Sequence, residues 1–313
     1  MSTSDEIARL NRALGCLAGL AVGDALGTTL EFKAPGTFKP ITDMVGGGPF
    51  GLKPGQWTDD TSMALCLAES LLECDGMDLS DQAGTYVSWW KEGYLSSTGV
   101  CFDIGNTVRS ALSAFQQSGK AASGSHDPQT AGNGCIMRLA PVPVFFRDPI
   151  EAVHQSGESS RTTHQAPACI DACRYMGGML RGLIDGATKQ QVLAPFYHPA
   201  GAEWKGLDPA IAAVAGGSFK EKQPPAIRGS GYVVQALEAA LWAFYHSSTF
   251  EEGALMAVNL GNDADTTGAI YGQIAGACHG LDGIPPGWTG KLHGREMILD
   301  FATRLHEHGA RRA

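Results

Sequence analysis

Residues 260–278 read LGNDADTTGAIYGQIAGAC. After two aspartates one residue apart, Asp263 and Asp265, glycine returns at 268, 272 and 276 with apolar residues between. A four-residue period belongs to a helix, so these glycines share one face and let a second helix approach closely. The segment is therefore expected to be a central helix, with its carboxylates at the opening turn.

Outward from this helix the same periodicity dominates. Ile7, Leu10, Leu14, Leu17 and Ala21 recur at three and four residues, as do Met63, Leu67 and Leu71, then Ile104, Val108, Leu112 and Phe115, then Val233, Leu237, Leu241 and Phe244. Alternating strand patterns are nearly absent. Breaker-rich stretches, KAPGTFKP (33–40), GGGPFGLKPG (46–55), SGSHDPQTAGNG (123–134) and KEKQPPAIRGSG (220–231), separate the helical segments. The expected fold is all-α, a compact orthogonal helical bundle with functional loops between packed helices.

A second acidic opening lies far upstream. Residues 56–64 read QWTDDTSMA, again acid and threonine running into an apolar helix. Either opening alone is an ordinary helix cap, since Asp and Thr satisfy free N–H groups and Asp complements the positive helix end. Together they carry more carboxylate than caps require. Crowded carboxylates repel unless a cation lies between them, and hard oxygen donors suit Mg²⁺, Mn²⁺ or Ca²⁺. Because the openings flank the loop at 119–134, a shared site requires both sides in one unit, and a single domain over residues 1–313 is expected. An EF-hand loop from Asp263 fails at its twelfth position, Ile274. Gly46, Gly48 and Gly51 match GxGxxG, but Pro49 and the missing strand–helix frame make that stretch a turn-rich loop.

The composition, with 43% hydrophobic and 18% charged residues, is that of a globular protein. A formal charge of −9 argues against nucleic-acid binding, which needs clustered Lys and Arg. No run of about 18 uninterrupted strongly apolar residues appears, so no membrane span is expected. The polar N-terminus lacks a signal peptide's apolar stretch, and the eight cysteines form no CxxC pair; buried thiols and a cytoplasmic location are expected. Taken singly, Glu31 reads as an exposed loop glutamate, His164 as a surface or capping histidine, Asp103 and Asn106 as a helix start, and Gly132-Asn133-Gly134 as a tight turn or a phosphate nest.

Taken in order, GCLAGLAVGDALGTTLEF, GQWTDDTSMALCLAESL, FDIGNTVRSAL, GNGCIMRLAPVPVFF, SRTTHQAPACIDACRYMGGML, GSGYVVQALEAALWAF and GNDADTTGAIYGQIAGACHG resemble the ADP-ribosylglycohydrolase family over residues 14–280. The similarity is marked toward the dinitrogenase-reductase-activating branch. It implies an all-α fold with two divalent cations, Mg²⁺ or Mn²⁺, and cleavage of ADP-ribose from a modified protein, commonly at arginine. It further implies metal ligation by Thr58, Asp59, Asp60, Asp263, Asp265 and Thr266, with Glu31 and Asp60 as catalytic residues. Asp103 and Asn106 would lie at the substrate ribose, with Asp103 also the candidate partner of an arginine guanidinium, Gly132, Asn133 and Gly134 near the diphosphate, and His164 at the ADP-ribose pocket. Tyr232 would stack on adenine, and Asp24 would support the first loop. The partner implied is an ADP-ribosylated protein, dinitrogenase reductase among the candidates, with ADP-ribose as product. Two rival readings use the same residues: a binuclear phosphohydrolase of a nucleotide sugar, and a non-catalytic ADP-ribose-binding module.

Overall fold

A computed structural model describes residues 3–312. In chain order the helices are α1 (Thr3–Gly27), α2 (Asp59–Glu73), α3 (Leu79–Glu92), α4 (Asn106–Ser118), α5 (Pro141–Phe145), α6 (Pro149–Ser160) and α7 (Pro167–Asp185). They continue with α8 (Lys189–Val192), α9 (Pro209–Ala215), α10 (Val233–His246), α11 (Phe250–Val258), α12 (Ala264–His279), α13 (Pro286–Thr289) and α14 (Arg295–Arg312). No β-strand forms among the described residues; pairing is limited to isolated bridges such as Gly132 with Tyr232.

The central helix expected from residues 260–278 is α12, and its partner is α1. Gly15, Gly19, Gly23 and Gly27 of α1 run antiparallel against Gly276, Gly272, Gly268 and Ala264 of α12. A β-carbon at Gly23 would lie 1.9 Å from the Gly268 carbonyl oxygen, and one at Gly272 would lie 1.9 Å from that of Gly19. No side chain fits between the two backbones. The pair is packed against α7, α10, α11 and α14, and the core extends from there into α2, α3, α4 and α5.

Segment 3–30 does contain a window long and apolar enough to cross a membrane, but 89% of that window is buried inside the fold. Its apolarity is that of a core helix, buried from Gly15 to Gly27. The loop at 119–134 packs on the turn after α6: Gly124 N–H donates to Arg161 O at 3.1 Å, and Gln165 N–H donates to Ser125 O at 2.9 Å. Gly46, Gly48 and Gly51 all have positive φ in an irregular loop, in keeping with the turn reading. The described cysteines are free thiols, five of them buried.

Candidate active site

Antiparallel packing of α1 on α12 sets the end of one beside the start of the other. Glu31 follows the short turn Thr28–Leu30, and its Oε2 accepts the Ala264 N–H at 2.8 Å, satisfying one free donor at the start of α12. The backbone completes the clamp: Phe32 N–H donates to Asn262 O and Asn262 N–H to Lys33 O, both at 2.7 Å. Glu31 is only 4% exposed, so the exposed-loop reading of this residue does not hold.

The start of α2 is held differently from the simple cap expected at Thr58. Thr58 occupies the cap position but makes no side-chain cap bond. Asp24 of α1 substitutes, accepting the N–H of Thr58 at 2.9 Å and that of Thr61 at 3.1 Å, together with the Thr61 hydroxyl at 2.6 Å. The Thr58 hydroxyl lies 2.9 Å from Asp24 Oδ1 and 3.0 Å from Asp60 Oδ2, and its one proton serves one of them at a time.

Two groups of carboxylates converge here, Asp24 with Asp60 and Asp265, and Glu31 with Asp263 and Asp265, so that Asp265 belongs to both. Within each group one oxygen per residue lies within 4.8 Å of the others. Asp24 is saturated by hydroxyl and amide donors from Thr58 and Thr61, so it supports the start of α2 rather than the first loop. In contrast, Asp60 Oδ1 and Asp265 Oδ2 are buried without any hydrogen-bond partner. An ionised oxygen in that state is costly unless a cation accepts it. The residues present therefore fit divalent cations: hard carboxylate donors in two groups joined by a shared aspartate, with two buried oxygens left without a partner.

The charge balance agrees. Burial pushes Asp59, Asp60 and Asp265 well above the usual carboxylate range, and the neighbouring carboxylates push further in the same direction. Burial, then Asp263, raises Glu31 to about 8, and the same two causes raise Asp103 to about 7. Protons or cations must neutralise this cluster.

A cleft of about 350 Å³ opens onto it. Its lining includes Glu31, Asp59, Asp103, Asn106, Gly132, Asn133, Gly134, His164, Asp263, Asp265 and Thr266, drawn from six separate segments. Thr58, Asp60 and Tyr232 do not line it. Thr58 and Asp60 sit with Asp24, while Tyr232 stands partly exposed at the start of α10, beside the lining residue Gly231. Asn106 opens α4, whose cap is Gly105.

The Gly132–Gly134 loop is shaped by His164. A β-carbon at Gly134 would lie 3.0 Å from His164 Cε1, and one at Gly132 would lie 3.2 Å from Nε2. His164 is buried rather than a surface residue, its Nδ1 lies 2.8 Å from the Thr163 hydroxyl, and burial lowers its pKa to about 4, so the ring is neutral. Asn133 does something its sequence context did not announce: its side-chain amide donates to Asp263 Oδ2 at 2.9 Å and to Ser230 O at 3.2 Å, fixing one carboxylate of the cluster. Phe32, Met137 and Gly231 also line the cleft and carried no signal in the sequence.

Comparison with known proteins places these features in context. A family model described as ADP-ribosylglycohydrolase matches residues 5–313. A relative from Serratia proteamaculans, named ADP-ribosylarginine hydrolase Tri1, is 43% identical over 96% of this chain and 80% of its own length. One from Rhodospirillum rubrum, named ADP-ribosyl-[dinitrogen reductase] glycohydrolase, is 33% identical over 90% of each chain. A solved structure titled ADP-ribosylglycohydrolase-related protein complex superposes with a TM-score of 0.85 at 42% identity, covering 97% of this chain and 99% of the other. The chain is a member of the ADP-ribosylglycohydrolase family.

Proposed function

We propose that this protein hydrolyses the N-glycosidic bond between ADP-ribose and an arginine side chain of a modified protein, acting as one unit over its length in the cytoplasm. The observation that carries the reading is the pair of carboxylate groups sharing Asp265, with orphaned oxygens, at a cleft also lined by Glu31 and Asp103. The similarity to a relative named for arginine-directed hydrolysis supports the leaving group.

Thr58, Asp59, Asp60, Asp263, Asp265 and Thr266 would hold two divalent cations, Mg²⁺ or Mn²⁺. When bound, such ions stabilise charge developing at the anomeric carbon and make a water more acidic. Glu31, with one oxygen fixed by the Ala264 N–H, holds or moves a proton at the departing nitrogen or the attacking water. Asp103 pairs with the guanidinium, which a neutral serine conjugate does not offer. His164 and the Gly132–Gly134 loop form the ADP-ribose wall, with Asn106 at the ribose and Tyr232 at the adenine end.

The test is a panel of ADP-ribosylated arginine, serine, cysteine and glutamate substrates, with products identified by mass. The arginine conjugate should release intact ADP-ribose fastest. AMP with ribose phosphate would instead make the protein a phosphohydrolase, and tight ADP-ribose binding without turnover would make it a binding module.

A further inference from the structure

Each of two acidic residues that line the cleft is joined in sequence to a phenylalanine: Glu31 to Phe32 and Asp103 to Phe102. Phe50, from the glycine-rich loop, links the two pairs. Its ring centroid lies 6.2 Å from that of Phe32, edge to face, and 5.2 Å from that of Phe102. The three rings thus touch in series, Phe32 on Phe50 and Phe50 on Phe102.

Phe32 is the member that lines the cleft, and it is 66% exposed, an uncommon state for a ring at the edge of a buried polar site. It is also held in a conformation that bulky residues avoid, with φ of +59°. Asp103 has the same φ of +59°, and Asn262, whose carbonyl accepts the Phe32 N–H, has +58°. Asp and Asn adopt such a φ readily, so the strain rests on Phe32, whose ring lines the cleft without being packed away.

We infer that Phe32, braced by Phe50 and Phe102, is a specificity residue that takes the face of the substrate's guanidinium while Glu31 and Asp103 face its N–H edges. A planar, delocalised cation is the group that combines an aromatic face with in-plane carboxylates. A hydroxyl-linked conjugate presents neither the cation nor the plane. This inference rests on the arginine-directed reading above and adds the part of the site that reads the leaving group.

The test is steady-state kinetics of Phe32→Asn and Phe32→Tyr on an ADP-ribosylated arginine protein, with calorimetric binding of free ADP-ribose to each. Asparagine tolerates a positive φ, so Phe32→Asn removes the ring while keeping the backbone. Its KM for the arginine conjugate should rise about tenfold with kcat changed less than threefold, ADP-ribose affinity should stay within twofold, and Phe32→Tyr should match the wild type. An unchanged KM in Phe32→Asn, or an equal loss of affinity for free ADP-ribose, overturns the inference. Wild-type turnover of the arginine conjugate in the same assay separates the two claims: without it the arginine-directed reading falls, and with it only the role of Phe32 is at stake.

Discussion

Removing divalent cations should make the protein less stable as pH rises from 6.5 to 8. Glu31 titrates near 4.5 in an unfolded chain and near 8 in the fold, chiefly through burial and the neighbouring Asp263. Above its ordinary value the folded state keeps a proton that the unfolded chain has released. Stability therefore declines with pH at about 1.4 kcal/mol per unit until the folded value is reached. Across this window Glu31 alone costs roughly 2 kcal/mol, and Asp59, Asp60 and Asp265, raised even further, act in the same direction. The buried His164, lowered to about 4, contributes slope only below the ordinary histidine value of 6.5. Thermal unfolding of chelator-stripped protein at fixed ionic strength should show the midpoint falling by roughly 3 °C or more between pH 6.5 and 8. Excess Mn²⁺ should raise the midpoint most at pH 8, since cations replace the protons the cluster otherwise needs. A metal-free midpoint that is flat or rising over this window would refute the assignment of these carboxylates as a mutually repelling cluster.

Further perturbations separate chemistry, metal support and scaffold. Glu31→Gln should lower kcat at least about a hundredfold while ADP-ribose affinity by calorimetry changes less than threefold; a matching loss of affinity would assign the residue to binding. Asn133→Ala removes the donor to Asp263 Oδ2 and should weaken metal affinity about 10–100-fold in a metal titration, whereas an unchanged titration would return Asn133 to substrate contact alone. Gly272→Ala forces a β-carbon to 1.9 Å from Gly19 O and should cost about 3 kcal/mol in urea unfolding, in spite of alanine's better helix propensity; an unmoved midpoint would show that α1 and α12 are further apart.

The fold class was legible because periodicity is local. Gly268, Gly272 and Gly276 announced a close helix contact, and Gly15, Gly19, Gly23 and Gly27 carry the same spacing in plain view. What a stripe does not encode is its partner, which depends on the whole packing arrangement. Both acidic openings were visible as residue types, and the structure brings them together through Asp265. The replacement of the Thr58 cap by Asp24, more than thirty residues away, was not readable, since any nearby carboxylate satisfies the same donors. Nor was the strained backbone at Phe32, because a positive φ at a bulky residue is imposed by tertiary contacts.

The central claim is most directly tested by following ADP-ribose release from an ADP-ribosylated arginine protein with enzyme stripped of metal, then reloaded with Mn²⁺ or Mg²⁺, beside Asp265→Asn treated identically. The account predicts no release from stripped wild type, recovery on reloading, and little recovery in Asp265→Asn, because the shared carboxylate of both groups is gone. Full release by the stripped wild type, or full recovery by Asp265→Asn, would contradict it.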